Sequence, residues 1–182
     1  MYDPDNLIYN NIVELTELTE ERVQFMVLEG DRMVYVYREL GQRGVNTSTM
    51  AGKEMPIHAT SGGKVILANL PERKRTKLIE RLELERYTKN TITNTEELYE
   101  ELDDIKRYGY SINREEYMKG LRAVSVPVGL FDGHINGAIG VSGPKHRIKG
   151  KITEQDLIER LQGTANEIEL KYDYVEPPIS DW

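Results

Sequence analysis

Apolar and small residues alternate most regularly between residues 120 and 144, on either side of an Asp132-Gly133 turn. This period of two predicts a β-hairpin. If Val124 lies opposite Val141, one face of the hairpin is apolar and β-branched, as is typical of a buried sheet face. The other face then carries only small residues, namely Ala123, Ser125, Pro127, Ala138, Gly140 and Ser142. A sheet face this bare indicates either a helix that packs very close or space for a small molecule.

The same pairing makes two further predictions about the hairpin. Leu130 faces Ile135 across a four-residue loop, residues 131–134. Pro127 cannot donate a ladder hydrogen bond, so we expect it at a sheet edge, at a bulge or beside a short neighbouring strand.

Elsewhere the hydrophobic pattern predicts helices and further strands. Helical spacing of apolar residues predicts helices at 6–18, 61–69, from about 71, 96–108 and after 153. The expected N-caps are Thr60 or Ser61, Thr95 and Thr153. Strands are predicted at 23–28, 33–37, 45–49 and 110–113. This order of elements predicts an α+β fold around a mainly antiparallel sheet.

Two tyrosines in one predicted strand are separated by a single residue. The pattern therefore places Tyr35 and Tyr37 on the same face of the strand, with Val34 and Val36 on the other. The tyrosine face is a candidate for lining a pocket or an interface, or for forming the rim of the core.

The composition of the chain mainly excludes certain classes of function and binding site. The 182 residues carry a formal net charge of −7, a poor match for direct binding to a phosphate backbone. The absence of cysteine excludes disulfides, thiol catalysis and cysteine-ligated metals. No apolar run approaches transmembrane length and the first residues lack a signal-peptide pattern. We therefore expect a cytoplasmic protein with no membrane contact.

Residues 61–64, Ser-Gly-Gly-Lys, are similar to part of a phosphate-binding loop. His58 and Val65 stand where that pattern needs Gly and Ser or Thr, so we do not expect nucleotide hydrolysis. Free amides at the start of the predicted helix would still attract an anion such as a carboxylate. Alternatively, the two glycines only let the helix pack closely on the sheet. The sequence leaves both interpretations open.

A small hydrolase that uses His58 and Ser61 is another hypothesis. Such catalysis needs a base that is oriented by a third group, and no nucleophile-elbow sequence is present. His134 and His146 are the other histidines, and three scattered histidines do not form a metal site at a recognised spacing. We expect no catalytic residue, no metal and no cofactor.

Several segments together resemble one known family. They are Met55–Ala68, Tyr108–Ser111, Glu115–Glu116, Gly120–Val124 and Val141–Pro144. In this order and spacing they resemble the effector-binding domain of the IclR family of transcription regulators. The resemblance implies a GAF-like (profilin-like) curved antiparallel sheet packed with helices. It also implies a pocket for a small, often carboxylate-bearing effector, and a homodimer or homotetramer.

The resemblance also implies a domain organisation. Family members carry a winged helix-turn-helix domain before the effector-binding domain, and that domain is missing from this sequence. Residues 1–18 are interpreted as a linker helix remnant, 19–174 as the effector-binding domain and 175–182 as a C-terminal tail. DNA would be bound only through the missing domain, whose affinity the effector would control. The alternatives are the hydrolase and a ligand-free dimerisation module.

The family motifs place the effector-binding residues at Met55, Ser61, Gly62, Asn113, Leu121, Ala123, Gly140 and Ser142. The three hairpin positions among them lie on the bare face predicted from the pairing alone. Relatives that bind small oxo-acids tend to have Asp, Cys and Ser where this chain has Asn113, Ala123 and Gly140. This difference implies a less polar and roomier pocket, and a larger or more apolar acid as the effector.

Overall fold

The computed structural model describes residues 4–42, 55–129, 135–148 and 154–175. Its helices are α1 (Pro4–Thr19), α2 (Ser61–Asn69), α3 (Glu72–Ile79), α4 (Thr95–Tyr108), α5 (Lys145–Ile148) and α6 (Glu154–Val175). Its strands are β1 (Arg22–Glu29), β2 (Arg32–Leu40), β3 (Ser111–Arg114), β4 (Leu121–Gly129) and β5 (Ile135–Pro144). A short 3-10 turn, Ile57–Ala59, precedes α2.

The five strands form one antiparallel sheet in the order β2-β1-β5-β4-β3. Helices α1 and α6 pack on one face, while α2 packs on the other face and against α4. The predicted α+β class is therefore confirmed. Each sheet face has its own apolar core, so the domain has three layers with the sheet in the middle.

The central hairpin pairs as the sequence predicts over most of its length. Val124 lies opposite Val141, and this face is buried against α6. A bulge after Val128 then shifts the register and pairs Gly129 with Ile135. The predicted pairing of Leu130 with Ile135 is therefore wrong, because an extra residue in one strand displaces every later pair. Residues 130–134 lie outside the described residues.

Pro127 lies beside a short neighbouring strand, as expected. Strand β3 pairs with β4 only from Arg122 to Ser125, so Pro127 has no partner on that side of the sheet. Its other neighbour is Ala138 of β5. Pro127 therefore lies beyond the first residue of β3, Ser111, where β4 has no β3 residue beside it.

The two tyrosines of β2 face opposite sides of the sheet, so the same-face prediction is wrong. The register shifts between Phe25, which pairs with Tyr37, and Met26, which pairs with Tyr35. Val36 is the extra residue of this bulge, and it reverses the alternation. Tyr37 consequently packs on the core beneath α1 and α6, and Tyr35 packs on the core beneath α2.

Helix α1 is an integral part of the packing. Its apolar stripe, Leu7, Ile8, Ile12 and Leu15, is buried as the helical spacing predicts. The helix lies against β1, β2 and α6. The interpretation of this segment as the end of a linker stays a prediction.

Several boundaries differ from those expected. Asn94, not Thr95, caps α4, and its side chain accepts a hydrogen bond from the Glu97 amide. The strand expected to begin at Tyr110 begins one residue later, and the single turn α5 was not expected. The predicted strand at 45–49 and the Thr153 cap lie outside the described residues. Within the part of the chain that the structure describes, no helix combines the length and apolarity needed to cross a bilayer.

Candidate functional site

Helix α2 begins close to the sheet because two glycines allow it. Thr60 caps the helix by accepting a hydrogen bond from the Gly63 amide through its hydroxyl. A side chain at Gly62 would overlap Met26, with its Cβ 2.7 Å from the Met26 methyl carbon. A side chain at Gly63 would overlap the backbone of Ile57. Close packing on the sheet is therefore supported for Gly62, whereas Gly63 packs on the preceding turn, and the anion interpretation stays a prediction.

Beneath the start of α2, one row of side chains crosses four strands of the sheet. Arg22 pairs with Ser142, Ser142 with Ala123, and Ala123 with Asn113. We call these four residues the floor row. All four are buried. The row brings together residues from β1, β5, β4 and β3 that are up to 120 positions apart in sequence.

A cavity of about 40 Å³ lies between the floor row and the start of α2. Its lining comprises the floor row together with Gln24, Met26, Tyr35, Met55, Thr60, Ser61, Gly62, Tyr117 and Leu121. Every residue that the sequence predicts for the effector site lines this cavity, except Gly140. The structure thus assembles those residues in one place, while their role in binding stays a prediction.

Gly140 lies one row deeper and is covered by the helix. It pairs with Ser125, and a Cβ on Gly140 would overlap the Ser125 hydroxyl and lie 2.9 Å from the Val124 carbonyl oxygen. Ser125 in turn shares a hydrogen bond of 2.7 Å with Ser61 of α2. The bare hairpin face is therefore divided. Gly140 and Ser125 lie under the close-packed helix, whereas Ala123 and Ser142 of the neighbouring floor row line the cavity.

Polar side chains of the cavity already bond to other parts of the protein. Asn113 donates to the Ala59 carbonyl and accepts from the Glu116 amide at 3.0 Å. The Ser142 hydroxyl accepts from the Gln24 side-chain amide at 3.2 Å. These bonds orient the polar groups before any ligand arrives, which lowers the entropy cost of binding.

The sequence reasoning assigned no binding role to five residues of the cavity, namely Arg22, Gln24, Met26, Thr60 and Tyr117, and it named Tyr35 only as a candidate for a pocket, an interface or the core rim. Three of them alternate along β1, and that alternation is visible in the sequence. Their place in the site depends on the pairing of β1 with β5, which joins segments more than 100 residues apart. Tyr35 pairs with Met26, which also lines the cavity, and the bulge in β2 turns Tyr37 to the other face. Burial raises its pKa to about 12, so its phenol is neutral at pH 7.

The cavity is small compared with the several hundred Å³ of a typical ligand pocket. The large side chains of Met26, Met55, Tyr35 and Tyr117 line it together with Asn113 and Ala123. The expectation of a roomier pocket than that of the oxo-acid-binding relatives stays a prediction. Small residues in the floor row enlarge a cavity only if the larger side chains that line it leave that space empty.

The geometry gives the hydrolase hypothesis no support. The His58 ring donates from Nε2 to the Glu85 carbonyl at 3.0 Å and packs near Tyr87. Ser61 is bonded to Ser125 instead. Burial lowers the pKa of His58, which favours the neutral ring. Both proposed catalytic groups therefore have structural partners.

A buried ion cluster lies on the other side of α2. Lys64 is fully buried, and its ammonium lies 2.7 Å from Glu101 of α4 and 2.8 Å from Glu116. Glu116 precedes the cavity residue Tyr117. The cluster ties α2 to α4 and to the segment that contributes one wall of the cavity.

A family model described as bacterial transcriptional regulator IclR C-terminal matches residues 8–170. The chain belongs to this family. It is 30% identical over 166 residues to the HTH-type transcriptional regulator KdgR of Escherichia coli, covering 91% of this chain and 63% of KdgR. For KdgR of Dickeya chrysanthemi the identity is 29% and the chain covers 54% of the relative. The chain thus spans less than two thirds of these relatives.

Solved structures agree with this assignment. The crystal structure of the C-terminal domain of E. coli KdgR superposes with a TM-score of 0.80 at 28% identity, covering 95% of this chain and 100% of that one. A double mutant of the inducer-binding domain of the Acinetobacter transcription factor PobR, in complex with 3-hydroxybenzoic acid, gives a TM-score of 0.80 at 27% identity. That match covers 93% of this chain and 98% of the PobR chain. The fold predicted from the family resemblance is therefore confirmed.

Proposed function

We propose that this chain is the ligand-sensing part of an IclR-type transcriptional regulator and that its cavity binds a small organic acid. The acid would control DNA binding by a winged helix-turn-helix domain outside this sequence. The proposed effector-binding residues are Met55, Ser61, Gly62, Asn113, Leu121, Ala123 and Ser142. Gly140 supports the site from beneath, because it lets Ser125 reach Ser61.

The observation that carries the proposal is the meeting of the floor row with the start of α2. First-turn amides of a helix lack intrahelical partners and favour a carboxylate. Ser142 and Asn113 offer polar groups, while Met55 and Leu121 offer apolar contact. This combination suits an acid with an apolar body. The PobR relative bound to 3-hydroxybenzoic acid is consistent with it.

Binding would have to enlarge the cavity. Met26 and Met55 line it, and methionine is unbranched and adapts to irregular space. Because the Met26 side chain lies against Gly62, its movement would change the packing at the start of α2. The ion cluster at Lys64 would pass that shift to α4. A ligand that favours one position of α2 by about 1–3 kcal/mol would give ordinary allosteric coupling.

A thermal-shift screen of carboxylic acids tests the proposal, since a ligand that binds only the native state raises the melting temperature. The panel comprises benzoate, 3-hydroxybenzoate, pyruvate and short aliphatic acids. We expect at least one acid to stabilise the chain and Ala123→Leu to abolish that shift. Ala123→Leu fills the cavity without adding charge. Its melting temperature without ligand is the control for folding. An unchanged shift in this variant would place binding elsewhere.

A ligand-free dimerisation module is the second candidate, and the small volume of the cavity favours it. Such a module would show no shift with any acid and would still form dimers in solution. The regulator proposal also includes a homodimer or homotetramer and a cytoplasmic location. The thermal-shift screen separates the two candidates, and sedimentation of the chain tests the oligomer that both require.

A further inference from the structure

The cavity has one charged residue in its described lining, and that residue was not predicted from the family motifs. Arg22 is the first residue of β1 and lies at one end of the floor row, next to Ser142. It is only 9% exposed. The other lining side chains are apolar or neutral. No carboxylate is among them, so the described lining offers an incoming anion attraction without like-charge repulsion.

A second cation, Arg38, lies near Arg22 at this end of the cavity. Arg38 stacks over the Tyr35 ring, with its guanidinium carbon 4.8 Å from the ring centroid. Burial lowers the pKa of Arg22, and the nearby Arg38 cation lowers it further. Burial and the Arg38 cation thus both disfavour the charged form of Arg22, which also has a partner within the protein. A carboxylate beside the guanidinium would favour the charged form.

We propose that Arg22 is the residue that makes the site selective for acids, by binding the effector carboxylate through its guanidinium. A guanidinium has five N–H donors in a planar fork, so it can keep a protein partner and still present two donors to a carboxylate. The Gln24 side chain holds Ser142 beside it. The body of the acid would then extend along the floor row over Ala123 towards Asn113.

This inference rests on the proposed function and adds a second anchor to it. The start of α2 offers partial charges to an acid, whereas Arg22 offers a full charge from the sheet side of the cavity. A carboxylate can interact with both only if it lies at the Arg22 end. Alternatively, the effector has two acceptor groups, one for each anchor. In both arrangements Arg22 decides whether a neutral analogue is rejected.

The test compares each acid of the panel with its primary amide, which has a similar shape and no charge. On the unmodified chain we expect the acid to bind at least tenfold more tightly than the amide, as is typical of a charge-assisted pair. Arg22→Gln should weaken acid binding by roughly tenfold to a hundredfold and leave amide binding almost unchanged. Arg22→Lys keeps the charge and loses the fork, so it should retain part of the affinity.

Arg38→Gln is the matched control, because it removes a neighbouring cation that does not line the cavity. We expect its effect on acid binding to be less than about threefold. Equal affinities for acid and amide on the unmodified chain would overturn the inference while the proposed function stands. Undiminished acid binding to folded Arg22→Gln would do the same. Binding of neither acids nor amides by the unmodified chain would overturn the proposed function itself.

Discussion

The hydroxyl groups of Ser61 and Ser125 lie 2.7 Å apart, although the two residues are 64 positions apart in sequence. Both side chains are buried. This single bond joins the first turn of α2 to the centre of β4. It fixes the height of the helix above the sheet, and therefore the depth of the cavity that opens beside it.

Removing one of the two hydroxyls should destabilise the fold. Ser125→Ala leaves the Ser61 hydroxyl buried without this partner, at a cost of about 1–3 kcal/mol. The double variant with Ser61→Ala should lose less than the sum of the single variants, because no orphaned hydroxyl remains. Urea unfolding of the four proteins measures both effects. Strictly additive losses would show that the bond does not couple the two residues.

Ser111 provides the matched control for that experiment. It pairs with Ser125 across the sheet and is equally buried, but its hydroxyl has no hydrogen-bond partner among the described residues. We expect Ser111→Ala to change the free energy of unfolding by less than about 0.5 kcal/mol, or to stabilise the fold.

Adding a methyl group at Gly140 should be costly. Its Cβ would overlap the Ser125 hydroxyl and approach the Val124 carbonyl oxygen to 2.9 Å, and backbone cannot move aside cheaply. We expect Gly140→Ala to lose about 1–3 kcal/mol of stability in urea unfolding. Gly163→Ala in α6 is the control. A Cβ there meets nothing within 4 Å, so a gain of about 0.5–1 kcal/mol is expected. Equal effects at the two glycines would contradict this account.

Local patterns predicted local structure well. The alternation of Val124 and Val126 was enough to obtain the hairpin pairing, because the side-chain period of a strand is two. The buried stripe of α1 followed from its helical spacing in the same way. The predictions for Tyr37 and Leu130 were wrong because of β-bulges. One extra residue in a strand changes which sheet face, or which partner, every later residue meets, and no residue type in the sequence signals it.

Site residues could be grouped from the sequence only where they lie in the same turn or in the same predicted hairpin. Ser61 and Gly62 share a turn, and Ala123 and Ser142 share a hairpin, so the sequence could bring them together. Arg22 could not be found in this way. Its place beside Ser142 depends on which strand lies next to β5, and that choice is made by the packing of the whole sheet.

Ser142 should contribute to effector binding without being essential for folding. Its hydroxyl accepts from Gln24 and can still donate its own proton to a ligand oxygen. We expect Ser142→Ala to weaken binding of the stabilising acid by roughly 0.5–1.5 kcal/mol, as measured by calorimetric titration. A large loss of stability with unchanged affinity would instead assign Ser142 a purely structural role.

Two adjacent carboxylates should respond to pH with opposite signs. Burial raises the pKa of Glu116, even though Lys64 opposes that shift. The hydrogen bond from the Gly120 amide lowers the pKa of Glu115, and Lys145 lowers it further. A raised folded-state pKa costs stability as pH rises above the ordinary value for glutamate. A lowered one contributes stability that is lost as pH falls towards the folded-state value.

Glu116→Gln and Glu115→Gln therefore form a matched pair for one experiment. Relative to the unmodified chain, the stability of Glu116→Gln should rise between about pH 3.5 and pH 7, because this variant never ionises the buried group. The relative stability of Glu115→Gln should fall over the same range, because this variant lacks the favourable ionised form. Urea unfolding at several pH values measures both slopes. A falling slope for Glu116→Gln would show that Lys64 outweighs burial in the ionisation of Glu116, and a rising slope for Glu115→Gln would contradict the lowered pKa of Glu115.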